Sequence, residues 1–179
     1  DRQFFEPVVC CFNEKGRYAA EIEKEGIKVF ALNKKGKLDI SFFFRLLRAI
    51  RNERPHLVHT HLFTANLWGR LAARLSGVPA VSTEHNMDIW KKTVHFLLDR
   101  SLTPGTRRIV FVSDMVKQFY HGKIGSLNGK AVVIYNGIDI NKFAIRKNGA
   151  GIRSSLGIKA GAKVIGNVGR LVPQKGHRY

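Results

Sequence analysis

"HLVHTHLFTANLWGRLAARLSGVPAVSTEH" (residues 56–85) decides the fold of this chain. Its opening "HLVHTH" reads as a strand, since short β-branched and apolar residues sit between polar ones. "TANLWGRLAARLSG" follows with helix formers and stops at Gly77, the residue type that best tolerates the left-handed turn closing a helix. "VPAVSTEH" returns to strand texture. A strand, a helix and a second strand form a βαβ unit, whose helix carries the chain back so that the strands run parallel.

The same alternation extends in both directions. Upstream, "FEPVVCCF" is a strand, "RYAAEIEKEG" a helix stopping at Gly26, "IKVFAL" a second strand and "NKKGK" a loop. Asp39 or Ser41 is placed to cap the helix "SFFFRLLRAIRNER", which ends before Pro55. Downstream come a helix through "IWKKTVHFLLDRSL", the strand "RRIVFVS", a helix over "DMVKQFYHG" capped by Ser113, and the strand "KAVVIYN". The predicted fold class is α/β, a doubly wound parallel sheet. After "NGIDINKF" the texture changes. "AIRKNGAGIRSSLGIKAGA" is basic and Gly-rich, with room for one short helix, and reads as an interdomain connection. "KVIGNVG" then predicts the first strand of a new unit.

Composition bounds the function. Hydrophobic residues make up 44% of the 179, enough for a packed core and too many for a disordered chain. No stretch approaches the roughly 20 apolar residues of a membrane span. Cys10 and Cys11 are neighbours on a strand and point to opposite faces, so they read as free thiols of a reducing cytoplasm rather than a disulfide. The net charge is +18, which favours an anionic partner, yet no acidic residue lies between Asn141 and Tyr179 to balance nine basic ones. The aromatic and basic interleaving of RNA-binding modules is not seen, so a basic, non-catalytic nucleic-acid module ranks last.

Ligands of open parallel sheets bind at the carboxyl ends of the strands. Those ends carry His59-Thr60-His61, Glu84-His85-Asn86, Ser113-Asp114, Asn136-Gly137 and Gly169-Arg170. Five polar or glycine-bearing ends predict a cleft. His59 and His61 share one side of a strand. With His85 they could ligate zinc, which keeps a metal-dependent hydrolase open as an alternative. The preferred reading puts His61 in a substrate cleft. On "SFFFRLLRAIRNER", Phe43, Leu46, Leu47 and Ile50 form the core-facing stripe, with Phe42 and Phe44 at its borders and Arg45, Arg48 and Asn52 opposite. With Arg51 and Lys91-Lys92, these residues predict a surface for anionic lipid. Gly169 opens a loop that aims Arg170 and Lys175 at an anion.

The ordered blocks "HTHLFTANLWGRLAARLSGVPAVSTEHN", "FVS", "VIYNGIDINKF" and "VGRLVPQKG" resemble family 4 of the retaining GT-B glycosyltransferases. The resemblance implies two Rossmann-like domains. Residues 1–144 would be most of the acceptor-side domain, 145–162 the linker and 163–179 the start of the donor-binding domain. It also implies that the family's first strand, its Gly-rich loop and its Glu-x7-Glu region lie outside this chain, leaving an inactive fragment. Transfer would use a nucleotide-diphosphate sugar as co-substrate, with no cofactor and no metal. Arg170, Lys175 and Gly169 match the block that holds the donor diphosphate, and His61 matches the cleft histidine near the reacting sugar. His59, Glu84, His85, Asn86, Ser113, Asn136 and Gly137 are the remaining candidates on the acceptor side. The expected acceptor is a cell-surface glycan or glycolipid, met in the cytoplasm or on the inner face of its membrane. A sugar-nucleotide epimerase of the same fold fits these blocks less well.

Overall fold

The computed structural model describes the chain except residues 1, 37, 38, 128, 145–148, 160, 173, 174 and 179, and only the backbone of 142 and 143. Along the sequence run β1 (Val8–Cys11), α1 (Ala19–Lys24), β2 (Lys28–Ala31), α2 (Ile40–Glu53), β3 (Val58–His61), α3 (Phe63–Leu75) and β4 (Ala80–Glu84). These are followed by α4 (Thr93–Leu102), β5 (Thr106–Phe111), α5 (Asp114–Ile124), β6 (Ala131–Val133), α6 (Ile140–Phe143) and α7 (Ala150–Ser155). The chain divides into two compact units, residues 1–136 and 137–179.

Every ladder in the first unit is parallel, as the alternating sequence requires. The strands fall into two groups, β1–β2 and β3–β4–β5–β6, and among the described residues no ladder joins them. Apolar packing bridges the groups instead. Phe12 and Leu32, which follow β1 and β2, pack with Phe42, Leu46 and Ile50 of α2, Ala72 of α3 and Val58 of β3. A second core joins Phe96 of α4, Ile109 and Phe111 of β5, and Val116, Tyr120 and Ile124 of α5. Helix α3 lies very close to β3: a Cβ added at Gly69 would meet Thr60 Cγ2 at 2.5 Å.

Three expectations change. On α2 the buried stripe is Phe42, Leu46 and Ile50, with Phe42 wholly enclosed between Phe12 and Trp68. Asp39 starts the helix by accepting the Phe42 N–H at 2.8 Å as N-cap, and packing against Phe12 and Trp68 turns Phe42 inward. Phe42 therefore belongs to the core and leaves the proposed lipid-facing surface. Arg45 also leaves it, held by the Leu32 carbonyl at 3.0 Å and by Asp39 at 3.1 Å.

Helix α4 begins at Thr93, later than the apolar pattern suggests, because Lys91 closes a turn onto the Asp88 carbonyl and buries its side chain. Lys91 is thereby unavailable to a membrane.

In the second unit, "KVIGNVG" forms no strand. Ile165 and Val168 are fully exposed, since a strand needs a ladder partner and none is present among the described residues. Part of the connection expected over 145–162 lies outside the described residues; its helix is α7.

Candidate active site

A cavity of about 800 Å³ opens at the carboxyl ends of β1, β3 and β4, within the first unit. His61, the last residue of β3, and Glu84, the last of β4, line it together with His85, Asn86, Asp88 and Trp90. The first turn of α3 contributes Phe63, Thr64 and Ala65. Between His61 and α3 the chain turns through Leu62, whose φ of 69° lies in the left-handed region that residues other than glycine rarely occupy. Such strain is tolerated where the surroundings hold it, often beside functional groups. Leu62, the N-cap of α3, makes no side-chain cap hydrogen bond, so among the described residues it leaves the first-turn N–H groups at the cavity wall without that partner.

Three imidazoles form a chain at the mouth. His61 Nδ1 and His85 Nε2 lie 3.0 Å apart, within hydrogen-bond distance. The rings of His59 and His61 are 4.3 Å apart, and His59 Nε2 is 2.8 Å from Thr83 Oγ1. Alternation along β3 puts both histidines on the exposed side, while Thr60 between them is buried. Burial first, then the positive charge that neighbouring imidazoles would carry, pushes the His61 and His59 pKa values below the usual histidine range. Among the described residues no group of three or more His, Cys, Asp or Glu side chains is arranged to hold a metal ion.

Beneath this mouth lies a buried ionic network. Lys91 has no exposed side-chain surface, and its Nζ is 3.1 Å from Asp99, 3.3 Å from Asp88 and 3.8 Å from Glu84. It also donates to Tyr120 Oη at 2.7 Å and sits 4.7 Å from the centroid of the Phe63 ring. The Tyr120 hydroxyl reaches Glu84 at 2.9 Å and Asp88 at 3.0 Å, although it has a single hydrogen to donate. Asn66 donates to Glu84 at 2.8 Å, and Arg70 pairs with Asp99 at 3.2 Å. Three carboxylates thus face two cations. Burial raises the Glu84 pKa, partly opposed by Lys91. One proton on Glu84 would make the network neutral, as a dry interior favours.

The structure brings His61, Glu84, His85 and Asn86 together around the cavity and sets His59 beside them. Ser113 is placed elsewhere: its Oγ accepts the Val116 N–H at 3.2 Å as the N-cap of α5. Asn136 is exposed and does not line the cavity, and Gly137, also exposed, belongs to the second unit. Gly169, Arg170 and Lys175 belong to the second unit, in an exposed turn where Lys175 N–H donates to the Val172 carbonyl at 2.9 Å.

Sequence reasoning missed Lys91, Tyr120, Asp88, Asp99, Asn66 and Arg70 as one cluster. One signal was present. Asn66 and Arg70 are polar residues at i, i+4 on a helix whose neighbours are small and apolar, so they share a face that must find buried partners.

The family model for Glycosyltransferase Family 4 matches residues 1–142. A UDP-Gal:alpha-D-GlcNAc-diphosphoundecaprenol alpha-1,3-galactosyltransferase of Escherichia coli is 32% identical over 149 residues, covering 79% of this chain and 38% of the relative. A D-inositol 3-phosphate glycosyltransferase of Kineococcus radiotolerans is 28% identical over 130 residues, covering 66% and 30%. The crystal structure of Anabaena Alr3699/HepE in complex with UDP superposes with a TM-score of 0.79 at 20% identity, over 96% of this chain and 47% of that one. That likeness establishes the fold. The chain spans less than half the length of each of these proteins. By the extent of the family match, the chain belongs to glycosyltransferase family 4.

Proposed function

We propose that the full-length protein transfers a hexosyl group, with retention, from a nucleotide-diphosphate sugar to a glycan or lipid-linked glycan, in the synthesis of cell-surface polysaccharide or lipopolysaccharide. The observation that carries this reading is the His61–His85–Asn86 mouth at the carboxyl ends of parallel strands, inside the segment matched by the family. Residues 1–144 serve the acceptor, 145–162 connect, and 163–179 open the donor domain. A uridine nucleotide and a lipid-diphosphate acceptor are supported by the name of the Escherichia coli relative.

In the transfer, the bond from the sugar C1 to the donor phosphate breaks and its electron pair leaves with the diphosphate. The acceptor hydroxyl bonds to C1 on the same face, and its proton passes to the departing phosphate oxygen. Arg170 supplies a planar fork and Lys175 a point charge to the growing negative charge, which stabilises the transition state more than the bound donor. His61, held neutral, hydrogen-bonds the reacting sugar. The site of action is the cytoplasmic membrane face, where Phe44, Arg48 and Arg51 remain exposed on α2 to meet anionic lipid.

The test is incubation of full-length protein with UDP-galactose or UDP-glucose and a GlcNAc-diphosphate lipid, followed by NMR of the product. An α-linked product supports the assignment. A β-linked product from the α-donor, or hydrolysis abolished by a chelator without transfer, overturns it.

A further inference from the structure

The amino ends of β4, β5 and β6 carry a second cavity, of about 410 Å³. It is lined by Arg74, Arg107, Arg108 and Lys130, and among the described residues no Asp or Glu lines it. Thr106, the first residue of β5, and Pro79, just before β4, place it at the end of the sheet opposite His61 and Glu84. Nothing in the proposed transfer uses it.

Its arginines are positioned by a local irregularity of the sheet. Adjacent strand residues normally point to opposite faces. Here the pairing steps from Ala80 opposite Thr106 to Val81 opposite Arg108, so Arg107 is an extra residue in β5. Such a bulge re-aims side chains. Arg107 and Arg108 are consequently both exposed and both line the cavity, and Arg108 Nη1 donates to the Arg107 carbonyl at 2.9 Å. Arg74 comes from the last turn of α3 and lies across Gly105, where an added Cβ would sit 3.2 Å from its Cδ. Glycine there gives the arginine stem its path.

A simpler role accounts for one of the four cations. Lys130 Nζ donates to the carbonyls of Thr103 at 3.0 Å and Pro104 at 2.7 Å, closing the end of α4. The three arginines have no comparable use. Among the described residues none of them forms an ion pair. Like charges gathered without a carboxylate repel one another, and a multiply charged anion would reverse that penalty. Guanidinium forks match phosphate oxygens in geometry as well as charge.

We propose that this cavity is a second anion site, which binds a phosphate or diphosphate group remote from the transfer cleft. The group can belong to a soluble phosphorylated molecule or to a lipid headgroup, and the experiment separates these sources. Inorganic pyrophosphate binding is measured by calorimetry on full-length protein carrying Arg170→Ala and Lys175→Ala, so that the donor-side cations do not contribute. Sedimentation with phosphatidylcholine–phosphatidylglycerol vesicles is measured in parallel. Arg107→Gln/Arg108→Gln is compared with Arg17→Gln/Lys24→Gln, which removes equal charge from exposed positions at the two ends of α1, and Arg74→Gln tests the same cavity from another element.

The expected result is pyrophosphate binding weakened on the order of tenfold by the β5 pair, weakened also by Arg74→Gln, and unchanged by the α1 pair. That outcome identifies a soluble phosphate. Vesicle binding that depends on the β5 pair more than on the α1 pair, with no pyrophosphate binding, identifies a lipid headgroup. Binding of neither probe, or equal losses in the β5 and α1 pairs, overturns the site.

Discussion

A hydrogen bond between two imidazole nitrogens 3.0 Å apart requires one of them to lack a proton, so His61 and His85 cannot both be cations while it persists. His61 and His59 have pKa values below the ordinary 6.5, each chiefly through burial. Folding therefore favours their neutral forms. The stabilisation is complete above the unfolded value near 6.5 and is lost as pH falls from there toward the lower folded values. Denaturant unfolding between about pH 7.5 and about pH 5.5 should show a steeper loss for wild type than for His59→Asn/His61→Asn. Parallel slopes would mean that the imidazoles titrate as if free. At this scale the sequence was informative about placement, since a period of two put both histidines on one side of β3. It was silent about state, because the His61–His85 contact joins residues 24 positions apart.

At the scale of elements, Lys91 fastens the loop before α4 to β4, α4 and α5 through Glu84, Asp99 and Tyr120. Removing one partner from a buried ionic cluster leaves the others uncompensated. Lys91→Met should cost about 3–5 kcal/mol in denaturant unfolding, against less than about 0.5 kcal/mol for the exposed Lys92→Met. Equal effects would show that Lys91 is solvated. The sequence gives no such contrast between these two adjacent lysines. What separates them is the tertiary position of three carboxylates and a tyrosine, supplied by β4, the loop after it, α4 and α5. Helix and strand identity was legible from β1 to β6 because local patterning sets it. The phase of α2 was not, since several rotations would bury a comparable apolar stripe and the contacts of Phe42 with Phe12 and Trp68, distant in sequence, select one. "KVIGNVG" shows the converse: an apolar run is necessary for a strand, and pairing completes it.

For the whole molecule, a net charge of +18 raises the local concentration of anions around the surface but does not choose among them. Choice needs cations in fixed geometry, and the proposed donor loop offers Arg170 and Lys175. In full-length protein, Arg170→Ala and Lys175→Ala should each lower turnover by about 10²–10³, the usual cost of losing one transition-state charge stabiliser. Turnover within about threefold of wild type for both variants would remove these residues from the mechanism. The two tryptophans of the chain also stand in contrasting places. Trp68 is packed against Phe42 and Phe43, whereas Trp90 is 56% exposed at the cavity rim, its ring 5.3 Å from Phe63 and 5.5 Å from His95. The molecule thus carries its own optical reporter. A ligand settling against Trp90 should displace water from the indole and shift its emission to the blue, and Trp90→Phe should abolish that shift while the emission of Trp68 stays unchanged.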